Sequence, residues 1–213
     1  MENLWQDILN DGLIIDRYNE INKVTNYVID HGLLHVQNVL NYIDKICDLC
    51  NIDNKKRNLS KIAGALHDVG RLDCWHGHAE AGGKFASEYL NGKLNEDDLQ
   101  IVVDAIVHHD KDCFDENSTN DIAWILYMAD KMDYTRDRYV ENLIDEEAKN
   151  KFSYNIKEIN LIKKDNTSCI IEIVLFEDRE GFKENANRIT DVHVKVLDYF
   201  GFKTVDIRFK VLK

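Results

Sequence analysis

The residues of this sequence best suited to chemistry are histidines and aspartates that recur in or beside apolar helical segments. His67 and Asp68, for example, end the apolar run of residues 60–68. An ionisable group in such a setting costs free energy unless it has a partner. Imidazole nitrogens and carboxylate oxygens from facing helices together make sites for transition metals. Groups of this kind occur at five places, namely His35, His67-Asp68, His78, His108-His109 and Asp130.

Each group alone has an ordinary structural explanation, because a single histidine near a core is usually a hydrogen-bonded side chain. The five groups fall on separate predicted helices, however, so their side chains can converge inside a bundle. Cys47 and Cys50 form a C-x-x-C within the apolar pattern of residues 33–50, which favours packing over a metal or redox site. No cysteine ligand pattern is present, which disfavours a structural zinc site.

The first two thirds of the chain must supply these helices. Apolar residues recur at three- and four-residue spacing, as in 33–50 and 79–90, and this periodicity predicts a succession of helices. Asn95 and Asp121 are the predicted N-caps of the two helices that end at His108-His109 and that carry Asp130. We therefore predict one helical, metal-binding domain over residues 1–148.

The period changes after residue 150. Alternating apolar and polar residues in 154–162 and 168–176, with turn residues between them, predict a β-hairpin. A helix over 183–199 and a strand near 204–211 follow. The predicted fold is thus mainly α, a helical bundle with a small C-terminal α+β appendage (β-β-α-β) over residues 149–213.

Composition limits the partners. The chain has 213 residues, 44% of them hydrophobic, and a formal net charge of −12, which argues against nucleic-acid or anionic-lipid surfaces as partners. The sequence shows no apolar window of the length a membrane helix needs and no basic, secretory start. We expect a cytoplasmic protein that binds phosphate through cations concentrated at one site, most economically a metal.

Four local patterns resemble the HD-domain superfamily of metal-dependent phosphohydrolases. They are H-V-x-x-V at 35–39, A-L-H-D-V-G-R at 65–71, H-A-E-A-G at 78–82 and A-D-K-M-D at 129–133. The order H … HD … H … H … D is that of the family, and the resemblance covers roughly residues 27–140. It implies an HD-type helical bundle in a small stand-alone member.

The resemblance also implies two sets of metal ligands, with Asp68 bridging them. For a first metal they are His35, His67, Asp68 and Asp130. For a second they are Asp68, His78 and one or both of His108 and His109, of which the neighbouring pattern favours His109. The implied cofactor is one or two divalent ions of Fe, Mn, Co, Ni or Zn, with Mg as an alternative. His31, one helical turn before His35, is assigned a supporting or substrate-binding role.

Such a centre would use water to cleave a phosphate ester or anhydride, because a divalent metal lowers the pKa of water and neutralises charge on the phosphoryl oxygens. Asp68, or a nearby acid such as Asp133 or Glu80, would orient that water, and the sequence does not choose among them.

Two cations are predicted to act in catalysis and to bind substrate phosphate: Arg71, three residues after Asp68, and Lys131, beside Asp130. The alternative for both is a solvated surface charge, since Lys and Arg are mostly exposed. Weaker candidates for the same role are Arg136 and Arg138.

Several branches of the superfamily have sequence features that this chain lacks, which limits the functions to consider. Asp110-Lys-Asp-Cys follows His108-His109, in place of the Gly-Tyr-Pro run of the cyclic-di-GMP-degrading branch. The synthetase half of alarmone enzymes and the long insertions of the large dNTP triphosphohydrolases are also lacking. The predicted function is hydrolysis of a phosphate ester or anhydride of a nucleotide or related small molecule.

Three alternatives stay open at this point. The ligand set in a short chain is similar to the symmetrical dinucleoside tetraphosphate hydrolases, and some relatives use a di-iron centre to oxygenate a polyol or phosphonate. A non-catalytic metal- or nucleotide-sensing module is the third alternative. The C-terminal appendage would complete the pocket, mediate homodimerisation or bind a regulatory ligand.

Overall fold

The computed structural model describes residues 3–25, 28–178 and 182–212, and most of its regular structure is helical. The helices are α1 (Leu4–Asn10), α2 (Gly12–Thr25), α3 (Leu33–Cys50), α4 (Asn54–Leu66), α5 (His78–Leu90), α6 (Glu96–Val107), α7 (Asp121–Met132), α8 (Glu146–Lys149) and α9 (Phe182–Tyr199). Short 3-10 turns cover Val69–Leu72, Arg136–Arg138, Glu141–Leu143 and Ser153–Asn155. None of the helices in these ranges has the length and apolar character of a membrane span.

Side-chain caps fix where several helices begin. The Asn95 side chain accepts a hydrogen bond from the Asp98 backbone N–H at 2.9 Å and starts α6, as expected. The cap of α7 is Asn120, whose Oδ1 accepts the Ile122 N–H at 3.0 Å, so the expected cap at Asp121 is wrong by one residue. Asp121 instead occupies the first turn, where its charge faces the helix dipole and pairs with Lys56 at 2.6 Å.

α7 is the central helix of the bundle. Every residue from Ile122 to Asp130 is buried, because α3, α4, α6 and α9 pack around the helix. A helix that is apolar on all sides belongs in the middle of a fold. Its last turn places Asp130 in the interior of the bundle.

The C-terminal module has the predicted β-β-α-β order. Strands β1 (Ile156–Lys163) and β2 (Ser168–Leu175) form an antiparallel hairpin, and β3 (Thr204–Val211) pairs parallel to β2 after the crossover through α9. The sheet order is β1-β2-β3. The predicted fold class, mainly α with a small C-terminal α+β appendage, is confirmed.

The appendage shares its core with the bundle. α9 packs on α7, β1 packs on α3, and one cluster of buried apolar side chains contains residues from both parts. The boundary between residues 148 and 149 stays a prediction, and it falls within the short helix α8.

A close backbone contact positions the start of α5. The 3-10 turn after Asp68 packs so tightly on α5 that a methyl group added at Gly70 would lie 2.2 Å from the carbonyl oxygen of His78 and 2.3 Å from the nitrogen of Gly82. Those neighbours are backbone atoms and cannot rotate away. Gly70 therefore sets the distance between Asp68 and His78.

We expect Gly70→Ala to lower the free energy of unfolding by about 1–3 kcal/mol or more, because the added methyl group forces the 3-10 turn away from α5. Urea unfolding measures this change. The matched control is Gly12→Ala in α2, where the added methyl group meets no atom within 4 Å. Equal stabilities of the two variants would contradict the role given to Gly70.

Candidate metal centre

One group of buried ligand atoms lies between α3, α4 and α7. Nε2 of His35 is 3.1 Å from Nε2 of His67 and 3.3 Å from Oδ1 of Asp130. Oδ2 of Asp68 is 3.7 Å from both of those nitrogens. Four donors from three helices therefore surround one small volume, and this is the first ligand set that the sequence suggested.

A second group lies on the other side of Asp68. Nε2 of His78, at the start of α5, is 3.2 Å from Nε2 of His109, which follows α6. Both nitrogens are 3.5 Å from Oδ1 of Asp68. The two oxygens of this carboxylate thus face two different pairs of histidines, which is the arrangement of a ligand that bridges two cations.

The other ring nitrogen of each histidine is bonded to an oxygen that only accepts. Three of the four rings use the carbonyl three residues earlier in the chain, so helix ends and turns orient their own histidines. The Nδ1 contacts are His35 to Asp133 Oδ2 at 2.7 Å, His67 to Gly64 O at 2.9 Å, His78 to Trp75 O at 3.2 Å, and His109 to Ile106 O at 2.6 Å.

This donor set fits metal ions. Because each Nδ1 carries the proton, each Nε2 presents a lone pair. Two lone pairs then face each other at 3.1 Å in the His35–His67 pair and at 3.2 Å in the His78–His109 pair, which is repulsive without a cation between them. Three overlapping groups, each of three His or Asp residues with all ligand atoms within 4.8 Å of one another, have the composition of a metal site.

The electrostatics keep His67 and the two ligand carboxylates in their binding forms, whereas the carboxylates of Asp130 and Asp133 raise the pKa of His35 against the effect of its burial. Burial lowers the pKa of His67 to about 3, so its ring is neutral at physiological pH. Burial alone would raise the pKa of Asp68, but Arg71 and the neighbouring imidazoles hold it well below its usual range. Lys131 and the imidazoles do the same for Asp130. Neutral imidazole and ionised carboxylate are the forms that ligate metal.

The side chains of the two adjacent histidines after α6, His108 and His109, lie in different surroundings. His109 is buried and faces His78, whereas the His108 side chain is 32% exposed and its Nδ1 contacts the carbonyl oxygen and carboxylate of Asp104 at 2.9 and 3.1 Å. Successive residues point in different directions as the chain leaves a helix. The ligand set is corrected accordingly: His108 points away from the centre.

The two predicted cations, Arg71 and Lys131, each form an ion pair with a ligand carboxylate. Nε of Arg71 is 2.7 Å from Oδ1 of Asp68, and its guanidinium lies 4.8 Å from the ring centroid of Trp75. Nζ of Lys131 is 2.7 Å from Oδ2 of Asp130. Their side chains are 12% and 29% exposed, so neither is a free surface charge.

His31 also reaches the centre. Its Nδ1 is 2.9 Å from Oδ2 of Asp68 and 3.1 Å from Nη2 of Arg138, a residue that the sequence ranked low. Nη2 of Arg138 is also 3.2 Å from Nε2 of His35.

Asp133, one of the acids named for orienting water, already has a partner on each oxygen. Its oxygens accept hydrogen bonds from Nδ1 of His35 and Nδ2 of Asn38.

Asp110 is the residue at this centre that the sequence reasoning missed. Its Oδ2 is 3.8 Å from Nε2 of His78, and its Oδ1 is 3.5 Å from Nζ of Lys131. The signal for it was present, since it directly follows His108-His109. A cavity of about 290 Å³ opens at this place, lined among others by Arg71, His78 and Asp110.

Comparison with known proteins identifies a domain. Residues 32–135 match the family model of the HD domain. This part of the chain is an HD domain. The HD domain contains all the converging ligand candidates, namely His35, His67, Asp68, His78, His109 and Asp130. HD domains bind divalent metals, and the family is typically hydrolytic.

A solved structure is also similar to the chain. It is described as a predicted HD superfamily hydrolase from an uncultured Thermotogales bacterium, with 23% sequence identity. The match covers 62% of this chain and 79% of that one, with a TM-score of 0.44. No curated protein matches the chain.

We expect His109→Ala to lower the metal content of the purified protein by about one ion per chain, because it removes a ligand of the second group. Elemental analysis after dialysis against limiting metal measures this. The neighbouring variant His108→Ala is the matched control and keeps the wild-type content. A loss of the same size in both variants would show that the structure assigns the wrong histidine.

We also expect Asp110→Asn to weaken metal binding at the second group, because a neutral amide is a poorer ligand beside His78 than a carboxylate. Metal titration followed by calorimetry measures the affinity of each group. The group formed with His35 and Asp130 should keep the wild-type affinity. An identical pair of affinities in variant and wild type would remove Asp110 from the site.

Proposed function

We propose that the protein is a metal-dependent phosphohydrolase that cleaves a phosphate ester or anhydride of a nucleotide or related small molecule. The observation that carries the proposal is the carboxylate of Asp68, which lies between two pairs of histidines and contacts the cationic Arg71. When bound, divalent metal ions at such a centre supply Lewis acidity toward the phosphoryl oxygens and lower the pKa of water.

The chain's residues divide into two ligand positions. The first would be held by His35, His67, Asp68 and Asp130, and the second by Asp68, His78 and His109, with Asp110 beside them. Because all the imidazoles are fixed through Nδ1, little reorganisation is needed when metal binds.

Arg71 is the residue that we expect to bind the phosphoryl group. It lines the cavity of about 290 Å³ at the second ligand pair, and the ring of Trp75 supports its guanidinium. A planar guanidinium bonds two oxygens of a phosphate at once. Lys131 does not line this cavity, but its Nζ is 3.5 Å from Oδ1 of Asp110, which does, so it would add positive charge beside the phosphate.

Two acids at this cavity are suited to orient water. Glu80 lines the cavity, and Asp68 lies behind His78, with Oδ1 3.5 Å from Nε2 of both His78 and His109. Asp133 is excluded from this role because His35 and Asn38 occupy both of its oxygens. Because Arg71 contacts Asp68 at 2.7 Å, the groups that would bind phosphate and orient water lie together at one polar cavity.

The test is a panel of phosphate esters and anhydrides, including a symmetrical dinucleoside tetraphosphate, with Mn, Fe, Co, Ni, Zn and Mg in turn. We expect phosphate or nucleotide release that falls by more than about a hundredfold in Asp68→Asn, since this residue serves both ligand groups. His108→Ala, whose side chain points away, is the matched control and keeps the activity.

Other results would contradict the proposal in distinct ways. Oxygen consumption with iron and no phosphate release would indicate an oxygenase. Tight nucleotide binding without turnover, with every metal, would indicate a sensing module.

A further inference from the structure

A large chamber lies beside the metal centre and belongs to no ligand group described above. It has a volume of about 970 Å³, within the range of small-molecule sites. α7 and the loop after α6 form one wall, and α9 and β3 of the C-terminal module form the other. The chamber therefore exists only because the appendage packs on the HD domain.

Its two walls differ in chemistry. On the bundle side, the rings of Phe114 and Tyr127 are stacked with centroids 3.9 Å apart and planes within 10°, and Tyr134 is 40% exposed beside them. On the appendage side, the apolar lining residues are Val192 and Val194 of α9 and Ile207 of β3, next to the polar Thr190, Asp191 and Lys195. Aromatic side chains on one wall and aliphatic side chains on the other favour a planar ring between them.

The chamber adjoins the metal centre through Lys131. Lys131 lines the chamber, and its Nζ is 2.7 Å from Oδ2 of Asp130 and 3.5 Å from Oδ1 of Asp110. The other charged lining residues are of both signs, namely Lys111, Lys195, Glu116 and Asp191. An anionic group in the chamber would be attracted to Lys131, the lysine at the metal centre.

One loop separates the chamber from the small cavity at the second ligand pair. Residues of this loop line both spaces. Asp110 and Cys113 line the small cavity, whereas Phe114 and Glu116 line the chamber. An ion pair between Glu116 and Lys195 of α9 ties this loop to the appendage. The Asp110–Lys131 contact is thus the point where a molecule in the chamber comes closest to the phosphate site.

We propose that the chamber holds the organic part of the substrate and that this part is a planar aromatic ring. This proposal rests on the proposed phosphohydrolase function and adds the class of ester to it. The phosphoryl group lies near Lys131 and the centre, and the ring lies between Phe114 and Val194. The appendage, outside the matched HD range, thereby selects the substrate.

The test compares aromatic with non-aromatic phosphates on metal-free protein, where no turnover occurs. Dissociation constants are measured by saturation-transfer NMR for AMP, UMP and 4-nitrophenyl phosphate, against ribose 5-phosphate and glycerol 3-phosphate. We expect the aromatic compounds to bind about tenfold more tightly, because a base or aryl ring stacks on the aromatic wall. The nucleotides and the nitrophenyl ester separate a nucleobase from a general aryl preference.

Two variants locate that preference. Val194→Trp fills the chamber from a half-buried position, and Phe114→Leu removes one ring of the stacked Phe114–Tyr127 pair; each should bring the aromatic compounds to the affinity of ribose 5-phosphate. The matched control is Ile162→Trp, at an exposed position of β1 outside the chamber, which should keep the preference. With metal, Val194→Trp should raise KM for an aromatic ester and leave kcat unchanged.

Equal affinities for aromatic and non-aromatic phosphates in the wild type would overturn the proposal, as would an aromatic preference that survives in both variants. The two proposals fail separately. If no metal gives turnover but the preference is present and lost in the variants, the hydrolase function is wrong and the chamber assignment stands. If turnover occurs without the preference, the reverse holds.

Discussion

The buried carboxylate of Asp68 governs the arrangement of this structure. A carboxylate deep in a helical bundle is costly unless cations and donors compensate for its lost hydration. Here Arg71 contacts one of its oxygens, His31 contacts the other, and two pairs of imidazoles face the two oxygens from opposite sides. The helices that carry those imidazoles must meet at one point, so the bundle is organised around this residue.

Carbonyl groups at helix ends orient two of the imidazoles. The last carbonyl groups of a helix have no partner within the helix. His67 and His109 bond such carbonyls through Nδ1, three residues back, and so turn Nε2 toward the centre. The ligands are therefore fixed by backbone that the fold already supplies. Only His35 needs a distant partner, Asp133, which lies 98 residues away in the chain.

The C-terminal module packs directly on the helix that carries part of the metal centre. Its helix α9 packs on α7, the helix that carries Asp130, so the module is built onto the same element as the metal centre. Of the three roles left open for it by the sequence, completing a pocket is the one for which the structure offers a specific space. A ring held there and a phosphoryl group held at Arg71 or Lys131 would make two independent contributions to binding, one apolar and one ionic.

The sequence by itself determined the helical body, the β-β-α-β order of the appendage, the family and the candidate ligands, because periodicity and local motifs depend on residues close in the chain. Only the tertiary structure decided between His108 and His109, placed Asp110 and Arg138 at the centre, and showed that Arg71 and Lys131 contact carboxylates. Each of these depends on where a helix ends and which distant segment packs against it. The chamber is the clearest case, since its walls come from Phe114 and Val194, which only long-range packing brings to the same space.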